Sequence, residues 1–388
     1  MIKETTKNFE FRIYPNKSQK KAIEASLEAC KDLYNAVLEE KIRAYKEDDT
    51  NLSTFDLINR RKELAAKKNI DISILYSQVS SNVCQRVDNA FTQFYRRCKR
   101  KAKDDKPGFP RFKSNSRYNS FTYPQQGFKF VDDKHFYLSK IGTVKIVKHR
   151  ELPAGAKVKT CTVKRNALGQ IFVVLSVVYS VEVPKTSCSG LVGIDVGCEK
   201  FATLSNGEKI AHPHFYRQTE SKLAKAQSRW DKLKTRKNDD KQKIKAKRLK
   251  NRLDVKIANQ RKDFLHKTSR SLVNREFGIF YVEDLNIKGM TKDNYRNLNK
   301  SIMDSGWGNF LDMLTYKAEE AGKKVVRVNP AYTSQICSGC GWMVKKSLSV
   351  RQHECPHCGL SIDRDVNAAL NILSFGTKLS GSDTGRSL

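Results

Sequence analysis

The stretch LVGIDVGCEKFATLSNG, Leu191 to Gly207, is an apolar run with the character of a buried strand, and it carries a carboxylate, Asp195, in its middle. A lone carboxylate in such a place is strongly disfavoured unless something neutralises it. The rest of the chain has to supply the compensating group.

At 388 residues with 39% hydrophobic side chains, the chain has material for two or three domains with real cores. Its 74 Lys and Arg against 41 Asp and Glu leave a net charge of +33. That excess exceeds what solubility requires and implies a polyanionic partner, with nucleic acid first among the candidates. No apolar run is long enough for a membrane span, so no membrane partner is expected. The opening MIKETTKNFEF is charged rather than a signal sequence, so the expected location is cytoplasmic and, with this charge, nucleoid-associated.

FEFRIYPNKSQ, Phe9 to Gln19, indicates a short strand and then a helix start, with Asn16 or Ser18 available as cap. Ile23, Leu27, Cys30, Leu33, Val37 and Ile42 recur at helical spacing and predict a helix over 17–48. A second helical pair is expected over 53–103, its later part from Ile74 carrying Val79, Val83, Val87 and Phe91 on one side. KPGFPRF, Lys106 to Phe112, then breaks the helix. From Tyr118 to Val183 the period changes to alternation, with turn signals at Asp132-Asp133 and Asn166 to Gly169. Five or six strands follow, a small antiparallel barrel that the early FEFRIYP can complete.

The second half begins with the Leu191 strand. Lys222 to Lys262 holds 17 Lys or Arg against four Asp, on a sparse helical stripe, and predicts an antiparallel helical pair with one basic face suited to phosphate. FGIFYVEDLNIKGM, Phe277 to Met290, is another buried strand; it ends in Glu283 and Asp284, of which Asp284 has the structural role. A helix over 307–321 and a strand over 323–334 complete a mixed α/β sheet.

Six of the ten cysteines are scattered, but Cys337, Cys340, Cys355 and Cys358 form two Cys-x-x-Cys pairs separated by 14 residues. This is the ligand spacing of one structural Zn²⁺; four thiolates leave no coordination position for water, so a catalytic zinc is not expected there. His353 and His357 are expected at the surface. Directly after comes LSIDRDVNAALNILSFG, Leu360 to Gly376, in which Asp363 or Asp365 can cap a helix. Asp195, Glu283 and one of this aspartate pair lie on three segments that could border one core. Converging, they would hold two Mg²⁺ ions about 4 Å apart and so provide the compensation that Asp195 requires. Gly193 and Gly197 are expected to leave room for nucleic acid and metal.

GIDVG at Gly193 to Gly197, VEDLNIKGM at Val282 to Met290, the double Cys-x-x-Cys and DRDVNAALNI at Asp363 to Ile372, in that order, resemble the split RuvC-like nuclease of the TnpB (OrfB) family. FRIYPNKSQ and GFPRFKS extend the resemblance over nearly the whole chain. It implies an RNA-guided DNA endonuclease of an insertion sequence with an RNase H-like fold, whose catalytic and Mg²⁺-binding acids are Asp195, Glu283 and Asp365; the match to Asn-Ala-Ala favours Asp365 over Asp363.

The implied organisation is a β-barrel wedge domain from 1–16 and 105–186, a helical recognition domain over 17–104, and a RuvC-like domain over 190–334 with a basic hairpin at 218–263. A zinc ribbon over 335–361, a last RuvC-like segment over 362–376 and a flexible tail over 377–388 follow. The implied partners are a guide RNA from the transposon end and target double-stranded DNA, bound by a monomer with one RNA. A short motif flanking the target would be read by Gln78, Asn82, Thr122 and Tyr123, in which Gln and Asn suit adenine and Thr suits the thymine methyl. The alternatives are a nuclease-dead RNA-guided repressor, a compact type V CRISPR effector, and a transposase with a similar acidic triad.

Overall fold

The computed structural model describes residues 2–100, 107–184, 188–237, 240–291, 296–347 and 350–382. It divides into two compact units, residues 4–180 and residues 181–388 with 1–3. Parts of the expected helix over 53–103, of the linker after Pro184 and of the tail beyond Ser382 lie outside the described residues.

In the first unit, Phe9, Phe11 and Ile13 alternate into the core along strand β1 (Ile2–Tyr14), which is longer than the FEFRIY signal. The next helix, α1 (Lys17–Asp48), starts in a capping box. The Asn16 side chain accepts from the Gln19 N–H, and the Gln19 side chain accepts from the Asn16 N–H. Ile23, Leu27, Cys30, Leu33 and Val37 are buried as the spacing predicts, and α1 stops where Asp49 turns left-handed at φ 48°. Helices α2 (Thr54–Lys67) and α3 (Ser77–Lys99) follow. The start of α3 lies three residues after Ile74, because Asn69 takes a left-handed backbone (φ 52°) and Asp71 holds Ser73 in a turn.

Six short strands come next: β2 (Ser120–Tyr123), β3 (Phe128–Phe130), β4 (His135–Leu138), β5 (Gly142–Val147), β6 (Lys157–Arg165) and β7 (Ile171–Glu182). With β1 they form one seven-stranded sheet in the order β2-β6-β7-β1-β5-β4-β3. β1 lies at its centre, so the helices between β1 and β2 are an insertion into the sheet. The edge strands approach through the rings of Tyr123 and Phe128, 6.4 Å apart, and the sheet is nearly closed into a barrel.

The second unit opens with β8 (Gly190–Val196), β9 (Lys200–Leu204) and β10 (Lys209–Ala211), followed by α4 (Phe215–Leu233) and α5 (Lys241–Val273). β11 (Phe277–Glu283), α6 (Ile287–Met290), α7 (Arg296–Ser305), α8 (Trp307–Glu320) and β12 (Lys324–Val328) continue the chain. β13 (Gln352–Glu354), β14 (Ser361–Asp363) and α9 (Arg364–Ser382) end it. The sheet order is β10-β9-β8-β11-β12, with β8, β11 and β12 parallel and β9 antiparallel to β8. Helices α5 and α8 cover one face through Leu265, Leu272, Phe310 and Leu314. Helix α9 covers the other through Ile372 against Tyr281 and Val328. α9 runs on to Ser382, so residues 377–382, expected in the flexible tail, are helical. No described helix is long and apolar enough to cross a membrane.

Candidate metal centres

Strand alternation decides where the carboxylates point. In the parallel pair β8–β11, Ile194 lies opposite Val282 and Gly193 opposite Tyr281. Val192, Ile194, Phe280 and Val282 belong to the core with α5 and α8. The residues of the other parity, Gly193 and Asp195 on β8 and Tyr281 and Glu283 on β11, therefore face α9. Asp195 and Glu283 occupy neighbouring positions at the carboxyl ends of parallel strands, where open α/β sheets place their sites.

Gly193 lets α9 in. A Cβ there would sit 2.1 Å from the Ala369 carbonyl oxygen and 2.8 Å from the Leu373 nitrogen, so only hydrogen fits between β8 and the helix. The space expected for nucleic acid is filled by α9, and a Cβ at Gly197 would meet the Lys200 carbonyl at 2.9 Å. Both glycines serve packing within the fold. The close approach brings the first turn of α9, with Asp365, to the acids of the sheet.

Electrostatics reports the convergence. Burial first, then the charges of Glu283 and Asp365, push the Asp195 carboxyl well above the usual carboxylate range; the Arg364 guanidinium opposes them, and Asp363 adds a smaller push. Burial also raises Glu283, against a 2.6 Å hydrogen bond from the Thr333 hydroxyl. The two candidate third acids have different partners. Asp363 caps α9, its Oδ1 accepting from the N–H groups of Asp365 (3.0 Å) and Val366 (3.2 Å), while its Oδ2 accepts from Lys209 at 2.6 Å. Asp365 receives long bonds of 3.3–3.4 Å from Arg364. Asp284 pairs with Arg327 at the surface, away from this role.

The cysteines converge more tightly. The four sulfurs lie within 4.8 Å of one another, with Cys337–Cys358 and Cys340–Cys355 separations of 3.6 Å and no disulfide. Tetrahedral Zn–S bonds of about 2.3 Å place sulfurs roughly 3.8 Å apart, so this donor set fits a zinc ion. Each knuckle turns at a left-handed glycine, Gly341 (φ 78°) and Gly359 (φ 73°), whose N–H donates to the carbonyl of the first cysteine at 2.9 Å. Among the described residues this is the only group of three or more Cys, His, Asp or Glu so close together. His357 stacks on Trp342, 5.0 Å between rings. His353, expected at the surface, is fully buried: it lies on β13 opposite Ile362 of β14, with its Nδ1 against the Lys346 amine.

Three residues that sequence reasoning missed tie the two centres together. The Asn367 amide donates to the Ile336 carbonyl (2.8 Å) and accepts from the Ser338 N–H (2.9 Å). Asn371 donates to the carbonyls of Thr333 (2.8 Å) and Ile336 (2.6 Å). Both asparagines are buried, and Thr333 in turn holds Glu283. Two asparagines four apart inside the apolar stripe of NAALN were the available signal, since buried amides need fixed partners.

Of the expected motif readers, Gln78 and Asn82 lie one turn apart on α3, and Thr122 lies on β2. Tyr123 is only 2% exposed and its hydroxyl donates to the Ser139 carbonyl at 2.8 Å, so it is a core residue of the barrel. The basic stretch forms α4 and α5, with Lys247 over the Trp230 ring at 5.8 Å.

Comparison with known proteins agrees with this architecture. Residues 176–294 match the OrfB family model described as "Probable transposase", and residues 307–372 match "Cas12f1-like, TNB domain". Residues 1–50 match a model described as "Helix-turn-helix domain", although here they form one strand and one long helix. The fold is similar to that in a structure titled "Cryo-EM structure of the Cas12f1-sgRNA-target DNA complex", with a TM-score of 0.58 at 13% identity over 95% of this chain and 98% of that one. An Escherichia coli K12 protein named "Putative RNA-guided DNA endonuclease InsQ" is 32% identical over 75% of this chain and 72% of its own length. A Streptomyces pristinaespiralis protein named "Putative RNA-guided DNA endonuclease" is 32% identical over 99% of this chain and 93% of its own length. With that likeness running nearly end to end through both carboxylate strands and the cysteine quartet, the chain belongs to the TnpB (OrfB) family.

Proposed function

We propose that this chain is an RNA-guided endonuclease that hydrolyses phosphodiester bonds in double-stranded DNA, with Asp195, Glu283 and Asp365 as its catalytic acids. The observation that carries this reading is the shared face: two acids at adjacent strand ends point toward the helix that bears the third, and their charges together penalise ionisation of Asp195. Such a cluster fits divalent cations, which relieve the repulsion. The three carboxylates would hold two Mg²⁺ ions, which supply a nucleophilic water and stabilise the leaving oxygen. Thr333 fixes the Glu283 rotamer through its hydrogen bond, and Arg364 supplies positive charge beside Asp365. Asp363 is spent on capping α9 and on Lys209, which supports Asp365 as the third acid.

The order β10-β9-β8-β11-β12, an antiparallel meander joined to parallel strands, supports an RNase H-like, RuvC-type domain. The cysteine quartet supports a structural zinc ribbon between its last strand and α9. The barrel with α1 to α3 is read as the wedge and recognition parts. The net charge of +33 suits a protein that holds guide RNA and target DNA by backbone charge while base pairing supplies sequence specificity.

The test uses the protein purified with its copurifying RNA and Mg²⁺ on duplex DNA carrying the matching target. The wild type is expected to cut, and Asp195→Ala to bind with unchanged affinity while cutting at least ~10³-fold more slowly. Normal cutting by Asp195→Ala would overturn the assignment.

A further inference from the structure

Tyr332 holds a backbone conformation that its side chain disfavours. It lies in the turn between β12 and the first cysteine knuckle, and its φ of 65° is in the left-handed region. Asn, Asp and His enter that region several-fold more readily than other residues, and a bulky side chain there is an outlier.

The conformation is imposed from both sides. The Tyr332 carbonyl accepts from the N–H groups of Gln335 and Ile336, both at 2.9 Å. Before it, the Asn329 Oδ1 accepts from the Ala331 N–H at 3.0 Å. After it, the Thr333 hydroxyl donates to Glu283 and lies 3.2 Å from the Pro330 carbonyl, while the Thr333 carbonyl accepts from the buried Asn371 amide. Relaxing Tyr332 to an ordinary φ would pull on the hydrogen bond that holds Glu283. No contact of the ring offsets the strain. Tyr332 is 59% exposed, and among the described residues no hydrogen bond or ring contact engages its side chain. The tryptophans Trp342 and Trp230 of the same unit have partners, His357 and Lys247. A glycine would take this turn without strain, and strain that the surroundings over-determine collects at active sites and ligand clamps.

We propose that the Tyr332 ring is a stacking platform for an unpaired base of the DNA strand whose phosphate lies at the acids, and that the strained turn keeps this platform and Glu283 in one rigid piece. The proposal rests on the reading of Asp195, Glu283 and Asp365 as a nuclease site and adds a residue that holds its substrate. The next residue, Thr333, bonds Glu283 at 2.6 Å, so a base on this ring belongs to a nucleotide close to the phosphate at the acids. Every base has a π face, so the contact would hold single-stranded DNA of any sequence, as a guided nuclease requires where it cuts.

The experiment uses the RNA-loaded full chain in two arms. In the first, on an Asp195→Ala background, 2-aminopurine replaces one base at a time along each strand of a matched duplex target, and its fluorescence, which falls when an unpaired base becomes stacked, is read. A short stretch of one DNA strand should be darker with Tyr332 or Tyr332→Phe than with Tyr332→Ala or Tyr332→Gly. In the second arm, with Asp195 intact, Tyr332→Ala and Tyr332→Gly should both cut about 5- to 150-fold more slowly at unchanged target affinity, and Tyr332→Phe, which keeps the ring, should restore the rate. Tyr332→Gly, freed of the strain, should melt about 2–4 °C above Tyr332→Ala. A ring that served only the fold would make the more stable glycine variant the better nuclease. No ring-dependent darkening in DNA, ring-dependent darkening of 2-aminopurine placed in the guide RNA instead, or cutting by Tyr332→Gly at the parent rate overturns the proposal. A parent that does not cut defeats the nuclease reading alone, since the fluorescence arm is read without cutting.

Discussion

The chain carries two candidate metal-binding sets of side chains, the cysteine quartet and the proposed acid triad, and they are gathered in opposite ways. The four cysteines come from two knuckles within one local segment, and their sulfurs already stand at metal-binding separations. The three acids come from β8, β11 and α9, and are brought together only by the whole second unit. Thiols can pack together at little cost, whereas the acid site must overcome burial first and then the mutual repulsion of its carboxylates, both of which push Asp195 up. The cysteine site supports local structure, while the acid site is supported by the structure around it.

The largest effect should come from breaking the local site. Cys355→Ser is expected to reduce bound zinc from about one per chain to near zero and to open residues 335–363 to protease, since structural zinc in small modules contributes on the order of 10 kcal/mol of folding energy. The described residues of the first unit, 4–100 and 107–180, should stay protected. If the segment around the four cysteines resists protease equally with and without zinc, the contrast between the two sites collapses.

Next in size is Gly193→Ala, which forces a methyl group against the Ala369 carbonyl. The cost should reach or exceed the upper end of the ~1–3 kcal/mol typical of overpacking, seen as a lower Tm and slower cutting with zinc content unchanged. A substituted protein that melts and cuts like the wild type would show that α9 does not need this approach.

Thr333 belongs to both regions, through Glu283 on one side and Asn371 on the other. Thr333→Val should slow cutting about 10- to 100-fold at fixed DNA affinity. The Glu283 carboxyl loses the donor that holds it down, so the rising limb of the pH–rate profile should move to higher pH. A loss of rate with an unmoved profile would assign Thr333 to packing alone.

The smallest effect is a gain. The Asp195 carboxyl is raised in the folded chain relative to the unfolded one, so the folded state holds the proton more tightly. Stability contributed by that proton is present below the unfolded value near pH ~4 and is lost as pH rises through the folded value. In chelator at pH 7, Asp195→Asn removes the ionised group and should raise the Tm of the second unit, by about 2–4 °C for each kcal/mol relieved. The gain should disappear below pH ~4; a gain that persists in acid would be one of packing.

What could be read from the sequence follows the same division. The cysteine spacing and the α1 stripe are local patterns, and both elements lie where the spacing places them. The seven-stranded sheet was partly legible, since alternation and turns announce strands but not that β1 lies at its centre between β7 and β5. Asp363 and Asp365 were equivalent by spacing; the hydrogen bonds that spend Asp363 on the α9 cap and on Lys209 arise from the tertiary fold. Gly193 looked like room for a ligand because a missing side chain says nothing about what occupies the space. His353 and the two asparagines were misjudged or missed for a related reason: burial of a polar side chain depends on partners that a linear pattern does not display.

The docking of α9 also bears on the order in which the protein is made. The carboxylates of Asp195 and Glu283 leave the ribosome well before Asp365, and the helix that carries Asp365 is the last element of the sheet's cover to be translated. A nascent chain with β8 to β12 assembled holds two of the three acids and leaves the α9 side of Gly193 bare. The proposed acid site can therefore be complete only after translation has passed α9, well after the barrel and the basic helices have been made.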